Sequence, residues 1–178
     1  GSGIMGSRIA CHFANAGINV LLLDIIPNPS ADDLSKGLTT ESKDFRNRIV
    51  NDSLKKAIQS SPSPLYSKSF SNRIRTGNLT DDISAIRDAD WIIEVVIEKL
   101  EIKQQLLEQV EKFKKPNAIV TSNTSGIPIS DICQGRSEEF KRNFCGTHFF
   151  NPPRYLRLLE MIPTPHTDPA IIDFLMEF

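Results

Sequence analysis

The side chains best suited to chemistry are a histidine, a carboxylate and two serine hydroxyls in three short segments. His148 lies in the sequence THFFNPP (147–153), Glu160 follows it by twelve residues, and Ser122 and Ser125 bound the sequence SNTS (122–125). A general base needs a neutral imidazole nitrogen directed at the reacting hydroxyl, and a carboxylate on the other nitrogen fixes the tautomer and stabilises the imidazolium that forms. We therefore predict that His148 is a general base and that Glu160 is its partner.

Each of these segments adjoins an apolar run that is typical of a β-strand. The runs cover residues 118–121, 144–146 and 156–162. Open α/β sheets bind their ligands at the ends of their strands. The chemistry is therefore expected where these three strands end.

Structural interpretations of the same residues stay open at this point. A histidine of intermediate burial commonly has a partner in the core, which would account for His148 without catalysis. Ser122 and Ser125 could simply form a turn. Glu160 is harder to explain in this way, because a carboxylate inside an apolar run is costly unless it is paired.

The beginning of the chain carries a second motif, the sequence GSGIMG (1–6), which opens an apolar helical pattern that ends at Gly17. The apolar run VLLLD (20–24) follows. In this arrangement, typical of dinucleotide binding, the glycines allow a tight turn and a close approach of the backbone to a pyrophosphate at the N-terminus of a helix. The predicted contacts in this part of the chain are Gly1, Gly3, Ile4, Met5, Gly6 and Asp24.

Asp24 indicates which dinucleotide is bound. It lies 18 residues after Gly6, the distance at which a carboxylate reaches the adenosine ribose 2′-hydroxyl. Ile25 and Ile26 follow it, so no arginine is adjacent to hold a 2′-phosphate. NAD rather than NADP is the predicted cofactor.

The motifs together resemble the 3-hydroxyacyl-CoA dehydrogenases of fatty acid β-oxidation over nearly the whole chain. The resemblance rests on the order and spacing of GSGIMGSRIA, VLLLD, ADWIIEVVIEKLEIKQQ, SNTSGIPI and GTHFFNPPRYLRLLE. The form GTHFFNPPRYLRLLEMIP looks most like the type that is fused to an enoyl-CoA hydratase domain. The resemblance implies a Rossmann-type fold, a doubly wound and mostly parallel sheet with an inserted helical arm, as one NAD-binding domain over residues 1–178.

The resemblance also implies roles for individual residues. Ser125 hydrogen-bonds the 3-oxygen of an acyl-CoA thioester close to the nicotinamide, His148 takes the hydroxyl proton, and Glu160 orients His148. The family contacts the nicotinamide end of the cofactor at the positions of Glu98 and Lys103, and Asn151 lies beside the same site.

Two parts of the family pattern are not found in the chain. The glycine motif should follow an apolar strand, and the family's helical C-terminal domain supplies a further catalytic asparagine and the expected homodimer contact. We therefore expect the protein to continue beyond both ends of the chain and the 178-residue fragment to be inactive by itself.

The helical arm is expected at about residues 27–72. Prolines bound a helical pattern at residues 45–58 in which Ile49, Leu54 and Ile58 lie among polar residues, which suggests a helix projecting from the sheet. In the family an arm at this place helps to bind coenzyme A. Basic side chains of the arm are thus candidate phosphate contacts, although a solvated helix face explains them equally well: Arg46, Arg48, Lys55 and Lys56.

The stretch from residue 100 to residue 115 has a helical pattern. Apolar side chains recur at helical spacing at Ile102, Leu106, Val110 and Phe113. They predict one buried face directed at the sheet.

Composition fits a globular intracellular enzyme. With 21 basic against 22 acidic residues, the chain shows no electrostatic footprint for nucleic acid. Cys11, Cys133 and Cys145 are odd in number and lack C-x-x-C spacing, which argues against a disulfide framework and a zinc site and fits the reducing cytoplasm. No apolar run approaches the roughly 20 residues that span a bilayer.

The sequence therefore predicts an NAD-dependent L-3-hydroxyacyl-CoA dehydrogenase. Two alternatives remain: an NAD dehydrogenase of a small hydroxy acid, and a non-catalytic, crystallin-like protein that binds NAD. The long arm favours a CoA thioester over a small acid. The set of Ser125, His148 and Glu160 argues against a purely structural role.

Overall fold

The computed structural model describes residues 1–35 and 40–178. Its strands form one sheet of two strands and one of four, and three of the four strand pairs among them are parallel. The predicted α/β class with mostly parallel strands is therefore confirmed. The chain divides into two compact units, Gly1–Ile83 with Asn151–Leu156, and Ser84–Phe150 with Arg157–Phe178. Within the described ranges no helix has the length and apolar character needed to cross a membrane.

The first unit is built on α1 (Ile4–Asn15), β1 (Val20–Asp24) and β2 (Ile74–Asn78). β1 and β2 are parallel, with Asp24 opposite Asn78 at their ends. α1 stops before Gly17, whose φ of 89° lies in the left-handed region that glycine adopts without strain. Small and branched apolar side chains form the core of this unit: Ala10, Cys11, Ala14, Leu22, Val50, Leu65 and Ile74.

Between β1 and β2 the described chain forms α2 (Ala31–Ser35), α3 (Lys43–Arg46), α4 (Arg48–Gln59) and a 3₁₀ turn (Lys68–Arg73). α4 corrects the expectation of a projecting helix. Val50, Leu54 and Ile58 recur every four residues, so they share one face of α4, and this face packs in the core of the first unit. The polar residues that suggested projection occupy the rest of the helix surface.

The second unit contains a four-stranded sheet in the order β3 (Trp91–Glu94), β4 (Ile119–Ser122), β5 (Phe144–Phe149) and β6 (Leu159–Pro163). β3, β4 and β5 are parallel, whereas β6 runs antiparallel to β5. Its helices are α5 (Leu100–Phe113), α6 (Ile129–Ile132), α7 (Glu138–Arg142) and α8 (Pro169–Glu177), and a 3₁₀ turn (Ile83–Asp88) precedes β3. The parallel order places the ends of β3, β4 and β5 at one edge of the sheet.

The buried face of α5 agrees with the predicted one at Val110 but includes Lys103 and Leu107 in place of Ile102 and Leu106. Lys103, Leu107 and Val110 are buried in the structure, whereas Ile102 is exposed. One residue of an α-helix corresponds to a rotation of about 100°. Because Val110 belongs to both faces, the buried face is turned from the apolar stripe by less than that angle. This rotation of the helix about its axis buries Lys103, whose ammonium group has carboxylate partners.

The cysteines are free thiols in buried positions. Burial raises the pKa of the Cys11 and Cys145 thiols to about 11, and it also raises the pKa of Cys133. Only the thiolate is strongly nucleophilic. We expect iodoacetamide to leave these three cysteines unmodified in the native protein at neutral pH and to modify them rapidly in denaturant, as read by peptide mass mapping. Rapid labelling of any of them before unfolding would contradict this assignment.

Candidate active site

His148 and Glu160 face each other across the antiparallel pair of β5 and β6. They are directly opposed in the strand register, and His148 Nδ1 lies 2.8 Å from Glu160 Oε2. The side chains are 21% and 51% exposed, so the pair is open to a substrate. With Nδ1 directed at the carboxylate, Nε2 is the ring nitrogen that can accept a proton. The predicted pairing is therefore present as a hydrogen bond.

The sequence SNTS continues from the end of β4, next to the strand that carries His148. Asn123 connects the two strands, because the Phe149 amide donates to Asn123 Oδ1 at 2.9 Å. Asn123 also donates its own amide to the Glu94 carbonyl at 2.9 Å, which fixes the turn to β3. Ser125 is exposed beyond this fixed turn. The turn thus presents the Ser125 hydroxyl at the strand ends from which the histidine also comes.

Glu98 accepts hydrogen bonds from this turn. Its Oε1 accepts from the Ser125 and Gly126 amides, at 3.1 Å each, and from the Thr124 hydroxyl. Burial raises the pKa of the Glu98 carboxyl, but the Thr124 and Gly126 hydrogen bonds and the nearby Lys103 outweigh it and bring the pKa down to about 2. Glu98 is therefore ionised at neutral pH.

Lys103 and Glu94 form a buried ion pair behind Glu98. The Lys103 ammonium lies 3.0 and 3.1 Å from the two oxygens of Glu94 and 3.2 Å from Glu98 Oε2. The Lys103 and Glu94 side chains are each 1% exposed, whereas that of Glu98 is 42% exposed. Of the two residues predicted to contact the nicotinamide end, Glu98 is therefore accessible, and Lys103 is in contact with Glu98 from behind.

Sequence reasoning missed Glu94. Its carboxylate accepts from the Ser122 hydroxyl at 2.5 Å and from the Val96 amide at 2.6 Å, in addition to Lys103. The signal was available, since Glu94 stands inside the apolar run WIIEVV. Glu94, like Glu160, is a carboxylate within an apolar run and therefore requires a partner.

In the first unit, the glycine turn and the end of β1 are in contact. Both the amide and the hydroxyl of Ser2 donate to Asp24 Oδ2 at 2.5 Å, and the Ile25 amide donates to Oδ1 at 2.7 Å. Gly3 precedes α1, and a Cβ there would meet no heavy atom within 4 Å. The turn that brings Asp24 to the start of α1 therefore leaves open space beside Gly3.

Asn151 belongs to the first unit and is held by a residue that sequence reasoning also missed. One guanidinium nitrogen of Arg8, on α1, donates to Asn151 Oδ1 at 2.6 Å. This contact orients the amide so that its Nδ2 group is turned away from Arg8. Arg8 gave no signal in sequence, because an arginine in the second turn of an exposed helix end is ordinarily a solvated charge.

A comparison with families of known proteins decides which family this is. The model of the 3-hydroxyacyl-CoA dehydrogenase NAD-binding domain matches residues 1–178. The chain belongs to this family.

Individual members of the family are similar over the whole chain. A probable 3-hydroxyacyl-CoA dehydrogenase of Bacillus subtilis is 50% identical over 179 residues, which cover all of this chain and 23% of that protein. The mitochondrial hydroxyacyl-coenzyme A dehydrogenase of Rattus norvegicus is 30% identical over 178 residues, all of this chain and 53% of that protein. The crystal structure of (S)-3-hydroxybutyryl-CoA dehydrogenase PaaH1 from Ralstonia eutropha has 27% identity and a TM-score of 0.70, and the match covers 99% of this chain and 56% of that one. The chain spans about half or less of the length of these relatives.

The groups present in the 3-hydroxyacyl-CoA dehydrogenase domain fit the NAD that the family binds. The first helical hydrogen bond of α1 runs from the Ser7 amide to the Gly3 carbonyl. The amides of residues 3–6 therefore have no acceptor within the helix and are suited to bind a pyrophosphate. No side chain caps this helix end. Asp24 supplies the carboxylate for a ribose diol, and Ile4, which is 70% exposed, supplies an apolar surface beside the turn.

The four basic residues that were considered for coenzyme A differ in their surroundings. Arg46 donates two hydrogen bonds of 2.6 Å to Asp81, and Arg48 forms an ion pair with Asp33. Lys55 and Lys56 are exposed on α4. The two lysines are therefore better placed for an external phosphate than the two arginines.

Proposed function

We propose that the protein containing this chain is an NAD-dependent L-3-hydroxyacyl-CoA dehydrogenase of fatty acid β-oxidation. The observation that carries this proposal is the 2.8 Å hydrogen bond between His148 Nδ1 and Glu160, on a strand that Asn123 ties to the turn bearing Ser125. This is the arrangement needed to remove a proton from a secondary hydroxyl. Family membership supplies the cofactor and the class of substrate.

In the proposed reaction the Ser125 hydroxyl hydrogen-bonds the 3-oxygen of the substrate. His148 Nε2 accepts the proton of the 3-hydroxyl as the C3–O bond becomes a carbonyl, and Glu160 stabilises the imidazolium that results. Bound NAD would supply the acceptor for the hydride that leaves C3. One proton and one hydride thus leave the alcohol, and a 3-ketoacyl-CoA remains.

The proposal assigns the nucleotide contacts in the same way. Gly1, Gly3, Ile4, Met5, Gly6 and Asp24 are assigned to the adenosine and pyrophosphate part, and Glu98, Lys103 and Asn151 to the nicotinamide end. Lys103 acts through Glu98, because its ammonium is buried against that carboxylate. The amides before α1 and the fixed Asp24 carboxylate support the first set.

A CoA thioester is the substrate class that we propose, with Lys55 and Lys56 as phosphate contacts. We also propose that the protein works in the cytoplasm as a homodimer.

The rival function is that of a dehydrogenase of a small hydroxy acid, which would have no use for Lys55 and Lys56. Full-length protein should oxidise L-3-hydroxybutyryl-CoA with NAD and leave free 3-hydroxybutyrate unchanged. Oxidation of the free acid at a comparable kcat/KM would favour the rival.

Because the Arg8 and Asn151 side chains are hydrogen-bonded, substitutions at the two positions should have coupled effects on NAD binding. We expect Arg8→Ala and Asn151→Ala each to raise the KM for NAD, and the double variant to lose about 1 kcal/mol less binding free energy than the two losses added together. The reason is that Arg8 acts by orienting the Asn151 amide, which is absent in the second background. Steady-state kinetics of the four proteins measure this. Arg87→Ala, which removes an exposed arginine bonded to the Ser84 carbonyl, is the control. Fully additive effects would contradict the role of Arg8.

A further inference from the structure

We propose that Glu94, Glu98 and Lys103 form a charge cluster with one negative charge in excess, and that this charge strengthens binding of the oxidised nicotinamide relative to the reduced one. The inference rests on the proposed function, in which Glu98 lies at the nicotinamide end. It adds a role for Glu94, which contacts no cofactor in that scheme, and it concerns the balance between the two redox states.

Glu94 and Glu98 both serve as hydrogen-bond acceptors, as ionised carboxylates do. The two oxygens of Glu94 accept from the Val96 amide, the Ser122 hydroxyl and the Lys103 ammonium. Each of these contacts has its proton on the partner, so the carboxyl group acts only as an acceptor. Glu98 likewise accepts from two amides, and its pKa is about 2.

The cluster therefore has two negative charges against one positive charge. Lys103 approaches both carboxylates, at 3.0 Å and 3.2 Å, and cannot neutralise more than one of them. The other contacts come from the hydroxyls of Ser122 and Thr124 and from backbone amides, all of which are neutral. Within the described residues, no other cation has an ion pair with Glu94 or Glu98.

The excess charge is effective because of where it lies. Glu94 and Lys103 are each 1% exposed, so water screens this pair weakly, and the accessible end of the cluster is the Glu98 carboxylate. Glu98 Oε1 is 3.1 Å from the amide of Ser125, the residue assigned to the substrate oxygen. The negative charge is thus held by hydrogen bonds beside Ser125.

The two redox states of the cofactor differ in charge at this end. The nicotinamide ring carries a positive charge in NAD⁺ and none in NADH. A fixed negative charge beside the ring stabilises bound NAD⁺ and leaves NADH nearly unaffected, so the ratio of the two dissociation constants measures the charge directly. A purely structural role of the cluster would change both constants together.

The test is equilibrium binding of NAD⁺ and of NADH to full-length protein, by protein fluorescence or calorimetry without substrate. In Glu98→Gln the Kd for NAD⁺ should rise about tenfold relative to the Kd for NADH, a typical effect of unit charges a few ångströms apart near a protein surface. Glu94→Gln should shift the ratio in the same direction although it leaves the Glu98 contact intact. Glu98→Asp, which keeps the charge, should retain most of the original ratio.

Glu101→Gln is the matched control, because it removes the same charge from the exposed first turn of the same helix and should leave the ratio within about twofold. Thermal melting shows whether Glu94→Gln folds. If it does not, the ratio of the two dissociation constants in Glu98→Gln and in Glu98→Asp tests the inference. Equal changes in both constants for Glu98→Gln would overturn the inference and leave the proposed function intact. Failure of the unaltered protein to bind either nucleotide would overturn the proposed function, and this inference with it.

Discussion

Replacing His148 by glutamine should lower kcat for oxidation of L-3-hydroxybutyryl-CoA by a factor on the order of 10² to 10⁴, the usual contribution of a positioned general base. Glutamine can still hydrogen-bond the hydroxyl but cannot accept its proton. The affinity for NAD should stay unchanged, because the residues assigned to the adenosine end lie on other elements. Kinetics and nucleotide binding on the same full-length preparation measure both quantities.

Glu160→Gln should also lower kcat, by less than the loss of His148. The glutamine keeps a hydrogen-bonding group at His148 Nδ1 but removes the negative charge that stabilises the imidazolium. His166→Gln is the matched control, since His166 is an exposed histidine whose Nδ1 lies 3.6 Å from a different carboxylate, Glu138. Retention of most of the activity by His148→Gln would show that the base has been assigned wrongly.

NAD should be preferred over NADP. The ratio of their kcat/KM values should correspond to several kcal/mol, the usual cost of opposing like charges at a binding site. Asp24 accepts two hydrogen bonds of 2.5 Å from Ser2, so its carboxylate is held in place and cannot easily move away from a 2′-phosphate. Asp24→Asn removes the charge and should narrow the preference for NAD over NADP. The main cause should be a lower kcat/KM for NAD, and a smaller contribution should come from a higher kcat/KM for NADP.

The preference is measured as the ratio of kcat/KM for the two nucleotides with full-length protein. Asp173→Asn, at an exposed aspartate of α8, provides a control for the change in net charge. Comparable values of kcat/KM for NAD and NADP in the unaltered protein would remove the basis for assigning Asp24 to the ribose.

Strand patterns allowed the contact between His148 and Glu160 to be predicted from sequence. The sequence indicated strand-like apolar runs at residues 144–146 and 156–162, and a carboxylate in the second run needed a partner. An antiparallel pair with His148 opposite Glu160 satisfies both requirements at once. Side chains alternate between the two faces of a sheet, so a register shift of one residue would place His148 and Glu160 on opposite faces. Their contact therefore supports the assignment of both strands.

The orientation of α5 could not be predicted from its apolar residues. Lysine is typically a surface residue, and the burial of Lys103 is favourable because its ammonium has ion pairs with Glu94, at the end of β3, and with Glu98. Pairs of this kind join residues on different elements, and hydrophobic periodicity carries no information about them. The same limit explains why Arg8, whose partner Asn151 lies 143 residues away, gave no signal.

The packing of α4 was missed for a different reason. Its apolar residues are few, and the prolines on both sides suggested an isolated helix. Val50 nevertheless is buried in the first unit's core, and Leu54 and Ile58 pack against the same cluster. A narrow stripe at a spacing of four residues was thus sufficient for packing, even among many charged and polar neighbours.

The most direct test of the proposed activity is the change in NADH absorbance when full-length protein is given acetoacetyl-CoA or free acetoacetate. NADH should be oxidised with acetoacetyl-CoA, one equivalent for each 3-hydroxyacyl-CoA formed, and free acetoacetate should give a far lower kcat/KM. Equal or faster oxidation with the free acid would indicate a dehydrogenase of small acids. NADH binding without oxidation by either compound would indicate a non-catalytic protein, and either result would contradict the proposed 3-hydroxyacyl-CoA dehydrogenase activity.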